Sequence, residues 1–86
     1  MLKSIEKLEE ENAPFEKYVE LIINSGENSL LSQLSESKNL LVRGAVALNP
    51  NTDRDVLEIL FRDKELFVRC LAHHPLRTHR FVDIMN

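Results

Sequence analysis

Two stretches of this chain carry nearly the same pattern, and that echo constrains the fold more than any single residue does. Leu40-Leu41-Val42-Arg43-Gly44-Ala45-Val46-Ala47-Leu48-Asn49-Pro50 is answered by Leu66-Phe67-Val68-Arg69-Cys70-Leu71-Ala72-His73-His74-Pro75, one residue shorter between arginine and proline. Sliding residues 30–43 onto 56–69, a shift of 26, pairs Leu31 with Leu57, Leu34 with Leu60 and Lys38 with Lys64. It also pairs Leu40 with Leu66, Val42 with Val68 and Arg43 with Arg69, giving six identities in fourteen positions. The same shift lays Phe15 on Leu41, Val19 on Ala45, Leu21 on Ala47 and Asn24 on Pro50, with Glu16-Lys17 in place of Val-Arg. The first unit is therefore a degenerate copy. Terminal repeats diverge in this way because one of their faces meets water instead of a neighbour.

The repeated unit reads as helix throughout. Only two glycines and three prolines are available for turns, so the links must be short. Leu2, Ile5 and Leu8 recur every three residues and predict a thin amphipathic helix over 2–11, with Glu9-Glu10-Glu11 as a solvated end. Asn12 is expected to cap the next helix, and Pro14 suits its first turn, where a missing N–H costs nothing. Phe15, Tyr18, Val19, Leu21, Ile22 and Ile23 cover a wide face of that helix. Ser25-Gly26 punctuates, and Asn28 or Ser29 is the expected cap of a helix bearing Leu30, Leu31 and Leu34. After the polar link 35–39, residues 40–48 are apolar almost all round, with Arg43 the one charge. A helix of that kind is covered on both sides. Asn49-Pro50 stops it. Thr52 or Asp53 is expected to cap a helix carrying Val56, Leu57, Ile59 and Leu60. Residues 66–73 then repeat the inner helix, and Thr78 is expected to cap a last one with Phe81, Val82, Ile84 and Met85.

Composition excludes several classes. Eighty-six residues make one small domain with a modest core. The net charge of −3 is divided unequally: residues 1–40 hold four lysines and eight glutamates, residues 41–86 seven basic and six acidic side chains. Neither half has the basic excess of a nucleic-acid binder. Cys70 is the only cysteine, so neither an intrachain disulfide nor a multi-cysteine metal site can form. No run approaches the ~20 apolar residues of a membrane-spanning helix, and the acidic N-terminus does not resemble a signal peptide. A cytoplasmic protein with no membrane association is expected.

The pattern Val-Arg-x-Ala-Val-Ala-x-Asn-Pro-x-Thr, followed by Leu57 and Leu60, resembles the leucine-rich repeat variant, a helical repeat family akin to HEAT and armadillo repeats. The second copy keeps Val68, Arg69, Ala72 and Pro75 but has His74 for asparagine. The resemblance implies paired helical segments stacked into a superhelix, and no single activity. The expected architecture is all-α: a short right-handed α-solenoid of about three helical-pair repeats of ~26 residues. One domain, 1–86, would comprise a cap helix (1–13), a degenerate repeat (14–39), a repeat (40–65) and a C-terminal repeat (66–86).

Candidate chemistry is sparse. Arg43 and Arg69 occupy equivalent positions on apolar helices. A buried guanidinium must be paired, so a structural role binds each to carbonyls or to a carboxylate such as Asp63 or Glu65 at a repeat junction. The functional alternative makes them a ladder for an acidic partner or a phosphate backbone. Cys70, His73, His74 and His79 are the only residues with metal-ligand chemistry in one neighbourhood. Gly44 at the position equivalent to Cys70 favours a small buried residue instead, and no metal or other cofactor is expected. Asp53, Asp55 and Glu58 sit at a helix start, where acids complement the dipole. With no phosphate loop and no nucleophile–base pair, no enzyme is expected.

The function expected is a non-catalytic protein–protein interaction module, a small scaffold or adaptor. The alternative is a nucleic-acid-binding HEAT-like protein, which the acidic charge disfavours. Phe81 and Met85 belong to an apolar arc of about 160° on the last helix. Part of that arc is expected to lie uncovered and to join a second copy as a homodimer.

Overall fold

The computed structural model describes residues 1–23 and 25–73. Six helices follow one another without a strand among the described residues: α1 Leu2–Glu10, α2 Phe15–Ile22, α3 Asn28–Leu34, α4 Leu40–Leu48, α5 Arg54–Leu60 and α6 Leu66–Ala72. The helical periodicity read from the sequence is present in each. α2, α4 and α6 pack side by side with α4 in the middle, and α3 and α5 each rest on α4. α1 covers α2.

The enclosure of α4 follows from its composition. Residues 42–47 are all buried, Arg43 among them. Val42, Val46 and Ala47 have no exposed surface, and they meet Ile22 and Leu31 from the preceding elements and Leu60 and Val68 from the following ones in one core. Burying each of the larger aliphatic side chains contributes about 1.5–3 kcal/mol. Gly44 is where the flanking helices come closest. A Cβ there would lie 2.9 Å from both Leu71 Cδ1 and Phe67 Cε2, and 3.3 Å from Phe15 Cε1. Phe15 and Phe67 meet edge to face over it, their centroids 5.0 Å apart.

Several expected caps are placed differently. Asn12 ends α1 and does not start α2. Its φ of 52° puts it in the left-handed region. Its N–H donates to the Glu9 carbonyl (3.2 Å), and the next N–H, of Ala13, donates to the Leu8 carbonyl (3.0 Å). That is a Schellman stop, with asparagine in the place glycine usually takes. It releases the chain into Pro14, whose extended ψ of 162° precedes α2. Asn12→Ala should therefore lower stability by about 1 kcal/mol in chemical denaturation, because alanine resists positive φ. Asn12→Gly should be neutral or stabilising by a few tenths.

Asn28 and Ser29 lie inside α3, which begins after Glu27 with no side-chain cap bond. Asp53 stands at the start of α5 and likewise makes no cap bond. Thr52 Oγ1 instead donates back to the Val46 carbonyl at 2.6 Å. Ile59, expected on the apolar arc of α5, is 66% exposed. The remaining three apolar residues of α5, Val56, Leu57 and Leu60, suffice to fix it to the core.

Candidate interaction surface

Arg43 is the one charge on the buried helix, and all three of its guanidinium nitrogens find acceptors. Nε and Nη2 donate to the two oxygens of Asp63, at 2.8 and 3.2 Å, and Nη1 donates to the Ser37 carbonyl at 2.8 Å. The fork is bidentate, and the pair is nearly shut off from water, with side-chain exposures of 8% and 10%. Asp63 also accepts the Glu65 N–H at 2.9 Å, which fixes the turn into α6. Burial would raise the Asp63 pKa. The hydrogen bonds from Arg43 and the Glu65 N–H, together with the charges of Arg43 and Lys64, outweigh it and hold the carboxyl below its ordinary value.

The same wiring recurs 26 residues along the chain. Ser37 Oγ accepts the Asn39 N–H ahead of α4, as Asp63 accepts the Glu65 N–H ahead of α6. Arg69 Nη1 donates to the Asp63 carbonyl at 2.6 Å, as Arg43 Nη1 donates to that of Ser37. The junction between α2 and α4 lacks the ion pair, and it lacks both halves of it. Ser37 stands where Asp63 would be. Lys17 stands where Arg43 would be and lies out on the surface, 3.8 Å from Glu20. At these two junctions the arginine and the carboxylate are present together or both replaced.

Two asparagines tie α4 to its neighbour. Asn39 caps α4 by accepting the Leu41 N–H at 2.8 Å, and its amide reaches Glu9 (2.9 Å) and the Tyr18 hydroxyl (3.4 Å). Asn49 is wholly buried. Its Nδ2 donates to the carbonyls of Ile22 (2.9 Å) and Ser25 (3.1 Å) at the end of α2, and its Oδ1 accepts the Asn51 N–H at 2.9 Å. Neither role was read from the sequence. Asn39 offered a signal, a capping residue immediately before an apolar run. Asn49 read only as part of a helix stop.

The α4–α5 unit ends in the link that carries Asp63. Residues 40–65 match the leucine rich repeat variant family. The match takes in both partners of the Arg43–Asp63 pair and includes Asn49, whose carbonyl partners Ile22 and Ser25 lie before it. Comparison with curated proteins and with solved structures gave no match.

Beyond the leucine rich repeat variant segment, α6 presents a face unlike that of α4. Leu66 is 64% exposed and Phe67 39%. Arg69 lies one turn from Leu66, half-buried, and its one hydrogen bond among the described residues is the one to Asp63. Cys70, expected to be buried because Gly44 is its equivalent, is exposed. The reason is positional. Gly44 is closed over by side chains from both flanking helices, whereas α6 has α4 on one side only among the described helices. Native protein should therefore react with a thiol reagent at a rate close to that of the urea-unfolded chain. Protection by more than about tenfold would place Cys70 inside.

His73 stacks on Phe61, centroids 4.3 Å apart. Glu58, read as part of a carboxylate group, lies 3.7 Å from Arg54 on the surface of α5. His74, His79, Thr78, Phe81 and Met85 lie outside the described residues, and with them the expected dimer surface. None of the described helices is long and apolar enough to cross a membrane.

Proposed function

We propose that this chain is a non-catalytic protein-interaction module, a short right-handed α-solenoid built from units of about 26 residues, and that its working surface is α6. The observation that carries the proposal is the contrast between equivalent helices. α4 is enclosed, whereas α6 exposes Leu66, Phe67 and Cys70 beside an arginine. Apolar side chains flanked by charge are the composition of a contact surface, with aromatic residues and arginine supplying most of the binding energy. The leucine rich repeat variant match supports the reading, because helical repeats most often present such faces to other proteins. That step is an inference from fold to function. We read the chain as cytoplasmic and without a cofactor or reaction of its own.

A photo-crosslinking amino acid placed at Phe67 tests this in cells. The expected result is a discrete protein adduct, absent when the same probe sits at exposed Glu20 on α2. An adduct with nucleic acid, together with binding that weakens steeply as salt is added, would assign the chain to the other class.

A further inference from the structure

We infer that Arg69 is a receptor for a partner's carboxylate, carried three residues ahead of an amphipathic helix that lies across α6 as α6 lies across α4. The inference deepens the interaction reading and rests on it. It starts from the one complete junction among the described residues. There Arg43 makes two kinds of bond: Nη1 to a carbonyl of its own link, and Nε with Nη2 to a carboxylate of the following unit. Arg69 makes the first kind of bond, to the Asp63 carbonyl, and no bond of the second kind among the described residues. Its Nη1 is therefore held in the same register as that of Arg43. A guanidinium fork held at one corner is ready for a bidentate acid.

The two earlier junctions relate the residue at this position to the link that faces it. Where the link carries Ser37 and no acid, the arginine position is Lys17, turned to solvent. Where the link carries Asp63, the position is Arg43, buried. Arg69 keeps the arginine, and the partner it fits is an acid placed as Asp63 is placed. The surroundings fit as well. On α4 the fork stands next to the Gly44 notch that receives Phe67 and Leu71. On α6 it stands next to Leu66, one turn back, and Cys70, both exposed and able to border the incoming helix.

The probe is supplied by the chain. A synthetic peptide of residues 61–73 carries Asp63 and α6, the segment that covers α4, and can be titrated into the intact protein labelled at arginine Nε. The Arg69 Nε–H resonance should shift saturably, with Arg43 unchanged. The Asp63→Asn peptide should bind at least about tenfold more weakly, and Arg69→Lys protein should lose a similar factor because an ammonium lacks the fork. The inference is overturned by an Arg69 signal that does not respond to millimolar peptide, or by equal binding of both peptides. It is also overturned if the Arg69 Nε–H of the free protein already shows the resonance of a carboxylate-paired guanidinium. Light scattering on the same samples completes the test: a dimer that shields Arg69 from the peptide would give the face to a second copy and overturn the assignment. A protein adduct at Phe67 that survives Arg69→Lys would remove the carboxylate receptor while leaving the interaction module standing.

Discussion

Arg43→Ala is expected to destabilise the protein by about 3–5 kcal/mol, the cost of leaving a buried ionic partner uncompensated. A domain of this length has a total stability on the order of 4–13 kcal/mol, so the variant would lose much of it. The loss has three sources. Asp63 stays at 10% exposure without its cation, the Ser37 carbonyl loses its donor, and a cavity opens where the side chain lay. A double variant separates pairing from packing. Arg43→Met with Asp63→Ser removes both charges and installs at 63 the residue found at the equivalent position 37, where a hydroxyl accepts the turn N–H. It should cost less than Arg43→Ala alone, with a coupling of about 1–3 kcal/mol in the cycle. Urea denaturation of the four proteins checks this, and additive losses would show that the pair is incidental.

The ion pair also sets an acid limit. The folded-state pKa of Asp63 is lowered from 3.8, so its contribution is complete above about pH 4 and disappears as the pH falls through the folded value. Wild type should lose more stability than the uncharged double variant as the pH falls below about 4.

The second large effect is expected at Asn49. Asn49→Asp keeps the shape and the acceptor for the Asn51 N–H, but it aims an oxygen where Nδ2 met the Ile22 and Ser25 carbonyls. Each carbonyl stripped of its donor costs about 1–3 kcal/mol, and a fully buried carboxylate adds more, so a loss on the order of 4 kcal/mol is expected. The sign of its pH dependence opposes that at Asp63. Burial and facing carbonyls raise the pKa of the introduced carboxyl, so the deficit should shrink as acid protonates it and restores one donor. Thermal melts of both proteins over a pH series would show this. A deficit independent of pH would mean that the site opens to water.

The contrast between Arg43 and Asn49 shows what the sequence discloses. A lone charge in an apolar run must find a partner, so Arg43 was legible as a junction residue, and Asp63, one of two nearby acids, was among its candidates. The partners of Asn49 are backbone carbonyls 27 and 24 residues away. No side chain reports them, and the proline that follows supplies a sufficient reason for the helix to end. Asn12 shows a different ambiguity. Asparagine serves both as an N-cap and as a left-handed stop, and between two adjacent helices only the backbone decides which. Cys70 shows the limit of repeat logic itself. Alignment with Gly44 carries over the position on the helix but not the layer that covers it.

The aromatic contact over Gly44 has a mechanical consequence. Phe15 and Phe67 belong to α2 and α6, which flank the same helix, and they touch because α4 offers no side chain between them. A row of helices in which each touches only its immediate neighbours can splay like a fan, since every seam bends separately. A latch from the first helix to the third closes one edge of the fan and couples the two seams into a single stiff piece. The missing methyl group at residue 44 is what lets the latch close, and any larger residue there is a wedge between α4 and the side chains of Phe15, Phe67 and Leu71.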